Sequence, residues 1–287
     1  MANNQRVAIK IMNHRLDLSD PDRPSDDKVV ELFLNEVKLA AEARHPHVVE
    51  IIDFNVGGAY RSADGHVRRI LYYVMRIEEY GELFRVINLT EQFSARTARV
   101  IFRQLVSALS AMHSRRIAHC DVKSENVLLD ARFNLKIVDF GCARYSLDEH
   151  ANPIPYDDAD GIGSLKCNAP ELVAHLTKGV YQADSIDVFA AGCFLFELVM
   201  KCEPFKSADI KDEHYSKLAG LEKKKFWDIF NSKLTPSPDF KGTPRPTQTS
   251  SNACWPPIPR SVSRCMAYVS TPGRTGSVRA GRTTRRR

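Results

Sequence analysis

His119-Cys120-Asp121-Val122-Lys123-Ser124-Glu125-Asn126, followed thirteen residues after Asn126 by Asp139-Phe140-Gly141, is the stretch on which the reading of this 287-residue chain turns. Between its two halves lie the apolar runs Val127-Leu128-Leu129 and Leu135-Lys136-Ile137-Val138, separated by Asp130-Ala131-Arg132-Phe133-Asn134. Two short apolar runs around a turn-forming segment predict a small hairpin. Its closure would bring Asn126 and Asp139 together. Asp and Asn at such places usually do no more than form turns. Here they would place carboxylate and amide oxygens, both hard donors, side by side.

In order and separation these residues resemble the catalytic loop and the metal-binding D-F-G triplet of protein kinases. Phosphoryl transfer from ATP has a loose transition state, so such an enzyme mainly positions reactants and neutralises phosphate charge. The resemblance implies Asp121 as the group that accepts or orients the proton of the attacking hydroxyl. It implies Asn126 and Asp139 as Mg2+ ligands and Lys123 as a contact to the γ-phosphate. A lysine two residues past the base resembles serine/threonine rather than tyrosine kinases, so the acceptor is expected to be Ser or Thr.

Other segments extend the resemblance. Val7-Ala8-Ile9-Lys10 is similar to the V-A-I-K strand whose lysine contacts the α- and β-phosphates. Asp27 to Arg44 has the dense apolar pattern of a partly buried helix, with Glu36 at its middle. Nine residues on, His45-Pro46-His47-Val48-Val49 resembles the H-P-x-I-V segment that follows the regulatory helix, which selects Glu36 over Glu31 as the partner of Lys10. Leu71 to Met75 reads as a buried strand, and Arg76 to Phe84 resembles the hinge between lobes. By resemblance, backbone groups around Glu78 and Tyr80 would contact adenine, and Met75 would guard the back of that pocket. Gly163 to Glu171 resembles the segment that closes the activation loop, with Ser164 at its hydroxyl position. Asp187 heads an apolar run to Met200 that is too short to span about 30 Å of hydrocarbon and contains Glu197, so it reads as a buried core helix. Tyr215 to Phe230 fits a further helix of the large lobe.

Three departures from the family pattern stand out. No glycine-rich G-x-G-x-x-G turn precedes Val7, so the small sheet is expected to lack two strands, and the functional unit is expected to start upstream of Met1. Cys120 occupies the place of the arginine that in many kinases binds a phosphorylated loop residue. Little dependence on loop phosphorylation is therefore expected at Tyr145, Ser146 or Tyr156. Past about residue 240 the apolar helices that should follow, with an arginine partner for Glu171, give way to a segment rich in Pro, Ser and Thr.

The expected fold class is α+β: a two-lobed protein-kinase-like fold with an incomplete β-rich N-lobe (1–77), a mainly α C-lobe (78–240) and a disordered tail (241–287). That tail carries ten of the 41 basic residues and none of the 35 acidic ones, so the first 240 residues keep 31 and 35, a net charge of −4. The chain's charge of +6 thus belongs to the tail, which lacks the aromatic interleaving of a single-strand binder, and no specific nucleic-acid partner is expected. Seven cysteines without a C-x-x-C pair point to reduced thiols, and no signal peptide precedes residue 30. The expectation is a cytoplasmic location, with the nucleus as an alternative, and no membrane span. The expected partners are ATP, Mg2+ and a protein substrate; oligomeric state is not readable. A kinase-like scaffold without turnover and an inactive fragment stand as alternatives to the enzyme.

Overall fold

The computed structural model describes residues 6–12, 26–61, 63, 65–156, 163–173 and 181–231. The expected tail of 241–287 and the acidic loop residues Asp157, Asp158 and Asp160 lie outside the described residues.

The chain opens with strand β1 (Val7–Met12), helix α1 (Asp26–Glu42) and strands β2 (Ile51–Arg61) and β3 (Val67–Arg76). These strands form one antiparallel sheet in the order β1-β3-β2. Period-two alternation gives β1 two unlike faces. Ala8, Lys10 and Met12 are partly covered, whereas Val7, Ile9 and Ile11 are exposed. Helix α1 packs on the covered face through Phe33 and Val37, which meet Tyr73 of β3 in a small apolar cluster. Glu36 lies on the same stripe, one position from Val37, and is carried into that cover by the helical period rather than by its own chemistry.

A short strand β4 (Gly81–Glu82) then leads into α2 (Leu83–Leu89) and α3 (Ala95–Ser114). Ser94 caps α3 by accepting from the Thr97 amide at 3.0 Å, satisfying one of the donors that a helix start leaves unpaired. Next come β5 (Ile117–Ala118), a 3-10 turn at Ser124–Asn126, β6 (Val127–Leu129), β7 (Leu135–Ile137) and β8 (Arg144–Tyr145). The hairpin expected from the two apolar runs is β6-β7, with Val127 opposite Ile137 and Leu129 opposite Leu135. Its turn closes on Asp130, whose carboxylate accepts the Arg132 and Asn134 amides at 2.8 Å each.

The remaining helices are α4 (Pro170–Val173), α5 (Ala183–Met200), α6 (Glu213–Ala219) and α7 (Lys223–Asn231). Helix α5 is the core helix foreseen from its apolar run: Ala190, Ala191, Phe194, Leu195 and Leu198 join α3 and the hairpin in the main hydrophobic core. No helix among the described residues is long and apolar enough to cross a membrane. One expectation needs correction. Tyr215 to Phe230 is two helices rather than one, because α6 ends at Gly220, whose backbone is extended. Phe226 and Phe230 of α7 fold back onto Phe196 and Met200 of α5.

Candidate active site

The catalytic loop is held from below by Asp187 in the first turns of α5. Its two carboxylate oxygens accept the His119 and Cys120 amides, each at 2.8 Å, and His113 of α3 reaches one of them at 2.8 Å. This clamp tolerates an uncommon backbone: Cys120 has φ +62°, in the left-handed region that non-glycine residues seldom adopt. Buried amide donors left without partners would cost about 1 to 3 kcal/mol each, so Asp187 stabilises the loop where it is least regular. Burial by itself would lower the His113 imidazole, but the Asp187 carboxylate outweighs it and holds His113 above its ordinary value. The Cys120 side chain is buried and points toward the Ala183 carbonyl, with Sγ 3.9 Å from it. Burial pushes that thiol well up, so it remains protonated.

Above the clamp, Asp121 is fixed on both carboxylate oxygens. Lys123 Nζ donates to Oδ2 at 2.7 Å, as does Asn126 Nδ2 at 2.7 Å, and Ser164 Oγ donates to Oδ1 at 3.1 Å. Lys123 also reaches Ser164 Oγ at 2.6 Å, closing a triangle of carboxylate, ammonium and hydroxyl. Gly163 makes this approach feasible. It has φ +64°, and a Cβ there would stand 2.8 Å from the Cys120 carbonyl oxygen and 2.6 Å from Asn168 Oδ1.

A second group bridges the sheet to the hairpin. Lys10 Nζ contacts Glu36 at 2.8 Å and Asp139 at 2.7 Å. Tyr73, opposite Lys10 in the β1-β3 register, donates its hydroxyl to the same Glu36 oxygen at 3.0 Å. Burial would lower the Lys10 ammonium, but the two carboxylates outweigh it and hold it raised. Asp139 shows the converse: burial would raise its carboxyl, and the Lys10 ammonium outweighs that and holds it below its ordinary value. Asp139 has φ +66°, and its Oδ1 also accepts the Gly141 amide at 3.3 Å.

The hairpin ties the two groups together, because the Val138 amide donates to the Asn126 carbonyl at 3.0 Å. Lys10, Tyr73, Met75, Lys123, Asn126 and Asp139 thereby line one cleft of about 420 Å³, together with Glu82, Glu125, Leu128 and Val138. Magnesium suits this donor set. Asn126 spends its amide nitrogen on Asp121, which reserves its oxygen for a cation beside the Asp139 carboxylate. Two protein oxygens are few, and among the described residues no cluster of three or more His, Cys, Asp or Glu is placed to hold a metal. Such an ion would complete its shell with phosphate oxygens and water.

Of the residues singled out in the sequence, Asp121, Lys123, Asn126, Asp139, Lys10, Glu36 and Met75 come together around this cleft. Glu78 and Tyr80 do not. The Tyr80 amide donates to the Leu129 carbonyl at 3.1 Å, and its ring stacks on Phe133 with the ring centres 4.1 Å apart. The Glu78 carbonyl accepts the Gly81 amide at 3.1 Å, and its side chain lines a separate cavity with Arg6, Arg76 and Lys136. The pairing of β4 with β6 turns this stretch back onto the hairpin, which a linear hinge motif does not reveal. Two participants escaped the sequence reading. Tyr73 shares a strand face with Met75 at period two and was legible in principle; His113 acts across 74 residues and carries no local signal.

A cleft between a small sheet and a helical body, lined by lysines, carboxylates and an amide so placed, defines a two-lobed protein-kinase-like fold. The family model described as "Protein kinase domain" matches residues 1–253, and the chain belongs to the protein kinase family. It is 30% identical over 212 residues to CBL-interacting protein kinase 30 of Oryza sativa subsp. japonica, covering 73% of this chain and 39% of that protein. It is 29% identical over 205 residues to the serine/threonine protein kinase OSK3 of Oryza sativa subsp. indica, covering 71% and 35%. CBL-interacting serine/threonine-protein kinase 15 of Arabidopsis thaliana is 30% identical over 220 residues, 76% of this chain and 46% of that protein. The chain thus matches less than half the length of each of these relatives.

Proposed function

We propose that this chain transfers the γ-phosphoryl group of ATP to Ser or Thr hydroxyls of a protein substrate. The observation that carries the proposal is the closed contact of Asp121 with Lys123 and Ser164, in which Lys123 shares one cleft with Lys10 and Asp139. Asp121, held on both oxygens, orients the acceptor hydroxyl and receives its proton. Lys123 faces the transferred group, and Lys10, positioned by Glu36 and Tyr73, holds the α- and β-phosphates. Asn126 and Asp139 would hold Mg2+, which neutralises charge on the phosphate oxygens when bound. The serine/threonine class is supported by Lys123, by Ser164 and by the names of the relatives. The boundaries near 77 and 240, a cytoplasmic location and the lack of a specific nucleic-acid partner belong to the same proposal.

Regulation by loop phosphate is weak in this reading. Ser146 is buried, and the segment after Asp139 is tied by other means. Tyr156 donates its hydroxyl to the Tyr145 carbonyl at 2.8 Å and stacks on Tyr181 at 5.8 Å, while the Arg144 guanidinium lies 4.5 Å from the Tyr156 ring centre. Tyr145 in turn donates to Glu42 of α1 at 2.7 Å.

The test is incorporation of labelled phosphate into a generic protein substrate. The wild-type chain should show it, and Asp139→Asn should lower it about 10²-fold or more. Incorporation that survives Asp139→Asn overturns the assignment; absence of it in the wild type, with ATP-independent partner binding, favours a scaffold. In the same assay Ser146→Ala and Tyr156→Phe should retain activity within about threefold, and complete loss would refute the view that the loop needs no phosphate.

A further inference from the structure

Two residues past Ser164, Lys166 turns back under the catalytic loop. Its ammonium lies 2.7 Å from Glu125 and 3.0 Å from Glu203, and 5.5 Å from the centre of the Phe84 ring. Three quarters of the side chain is covered. Burial would lower this ammonium, but the two carboxylates outweigh it and keep it firmly charged. Glu197 stands at the edge of the same group: Ser124 donates to it at 3.0 Å and to Glu125 at 3.3 Å.

Glu125 also lines the cleft with Lys123 and Asp139, four residues from the base. A peptide that presents a hydroxyl to Asp121 therefore meets Glu125 and, behind it, the Glu203 carboxylate that shares Lys166. Bare, they would favour a basic residue next to the acceptor, since a charge-assisted contact in a partly dry site is about twice as strong as a neutral one. The cation seated there is the chain's own. A substrate arginine could reach Glu125 only by displacing Lys166 from two short contacts.

We propose that Lys166 is a specificity-determining residue, an internal surrogate for a basic substrate residue that neutralises Glu125 and Glu203 and removes selection for Arg or Lys beside the acceptor. This rests on the protein kinase reading of the site. It extends that reading by naming the substrate class: hydroxyl-bearing segments without a required flanking basic residue.

The test measures binding, which needs no turnover. Fluorescein-labelled neutral serine peptides, each with one arginine placed at a different flanking position, are titrated with the full chain by fluorescence anisotropy. Wild type should bind every arginine peptide within about twofold of the all-alanine parent. Lys166→Met and the polar variant Lys166→Gln should each bind at least one arginine peptide about tenfold tighter than the parent, and Glu125→Gln added to either should abolish the gain. A wild-type preference for arginine, or no arginine-dependent gain in a lysine variant whose melting curve matches wild type, overturns the proposal. If Lys166→Met does not fold, the Lys166→Gln result decides. Absence of phosphate transfer from ATP bears on the kinase reading alone, since the anisotropy result stands without it.

Discussion

The sheet and the helical body treat their apolar residues in opposite ways. In β1, Val7, Ile9 and Ile11 are 40%, 56% and 42% exposed, whereas in α5 Phe194 and Leu198 are 1% and 0% exposed. Both segments are rich in apolar side chains, so hydrophobicity alone does not separate them. What differs is the number of covered faces. Helix α5 is enclosed by α3, the hairpin and α7, while among the described residues the sheet is covered by α1 on one face. Accordingly the loop that carries Asp121 is anchored to α5 through Asp187, and the sheet contributes a long lysine, Lys10, that reaches across to Asp139. In the proposed mechanism the base would sit on the well-packed side, and the nucleotide-facing lysine would be lent by the less covered one.

The comparison is broken most severely at Phe194. Phe194→Ala should cost about 3 to 5 kcal/mol of unfolding free energy in a denaturant titration, because the enclosed site cannot collapse around the void. A loss under about 1 kcal/mol would mean that the α5 core is far looser than its burial indicates. Next is the bridge between regions. Glu36→Gln should raise the KM for ATP about tenfold with a smaller change in kcat, since it frees Lys10 to lie on Asp139 alone. Tyr73→Phe, which removes only the second hydrogen bond to Glu36, should move the same parameter by about threefold. Equal kinetics for all three proteins would sink the role given to the bridge.

A subtler difference lies in pH. His113 has its folded value raised above the ordinary 6.5, so its stabilising contact with Asp187 is fully present below pH 6.5 and is lost as pH rises through the folded value. The melting-temperature gap between wild type and His113→Gln should therefore be widest in mild acid and narrow toward alkaline pH. A gap that grows with pH would refute a protonated His113 as the partner. The smallest effect is expected on the open face, where Ile9→Thr should change stability by no more than about 0.5 kcal/mol.

Legibility in the sequence followed locality. The hairpin, its Asp130 turn and α1 were readable because each rests on contacts within a few residues and on a regular period. The break at Gly220 was less so, since the aromatic residues on both sides, Tyr215 and Phe230, blur into one apolar pattern. The partner of the Tyr80 amide was not legible either: an amide in a hinge-like motif says nothing about which carbonyl it will meet, and here that is Leu129.

By itself, the sequence determined which chemical groups are available and in what order, because a base, a second carboxylate, an amide and two lysines at set spacings are properties of the chain. It also determined that one helix would be buried whole, since a continuous apolar run admits no solvated face. The pairing of Glu36 with Lys10 was already legible from the register of the His45-Pro46 segment. Only the tertiary structure decided the other pairings: Asp121 goes to Lys123, and Glu125 with Glu203 to Lys166. Ion pairing falls off within a few ångströms, and the separations along the chain of 26, 2 and 41 residues for Lys10–Glu36, Lys123–Asp121 and Lys166–Glu125 bear no relation to those distances until the fold has closed.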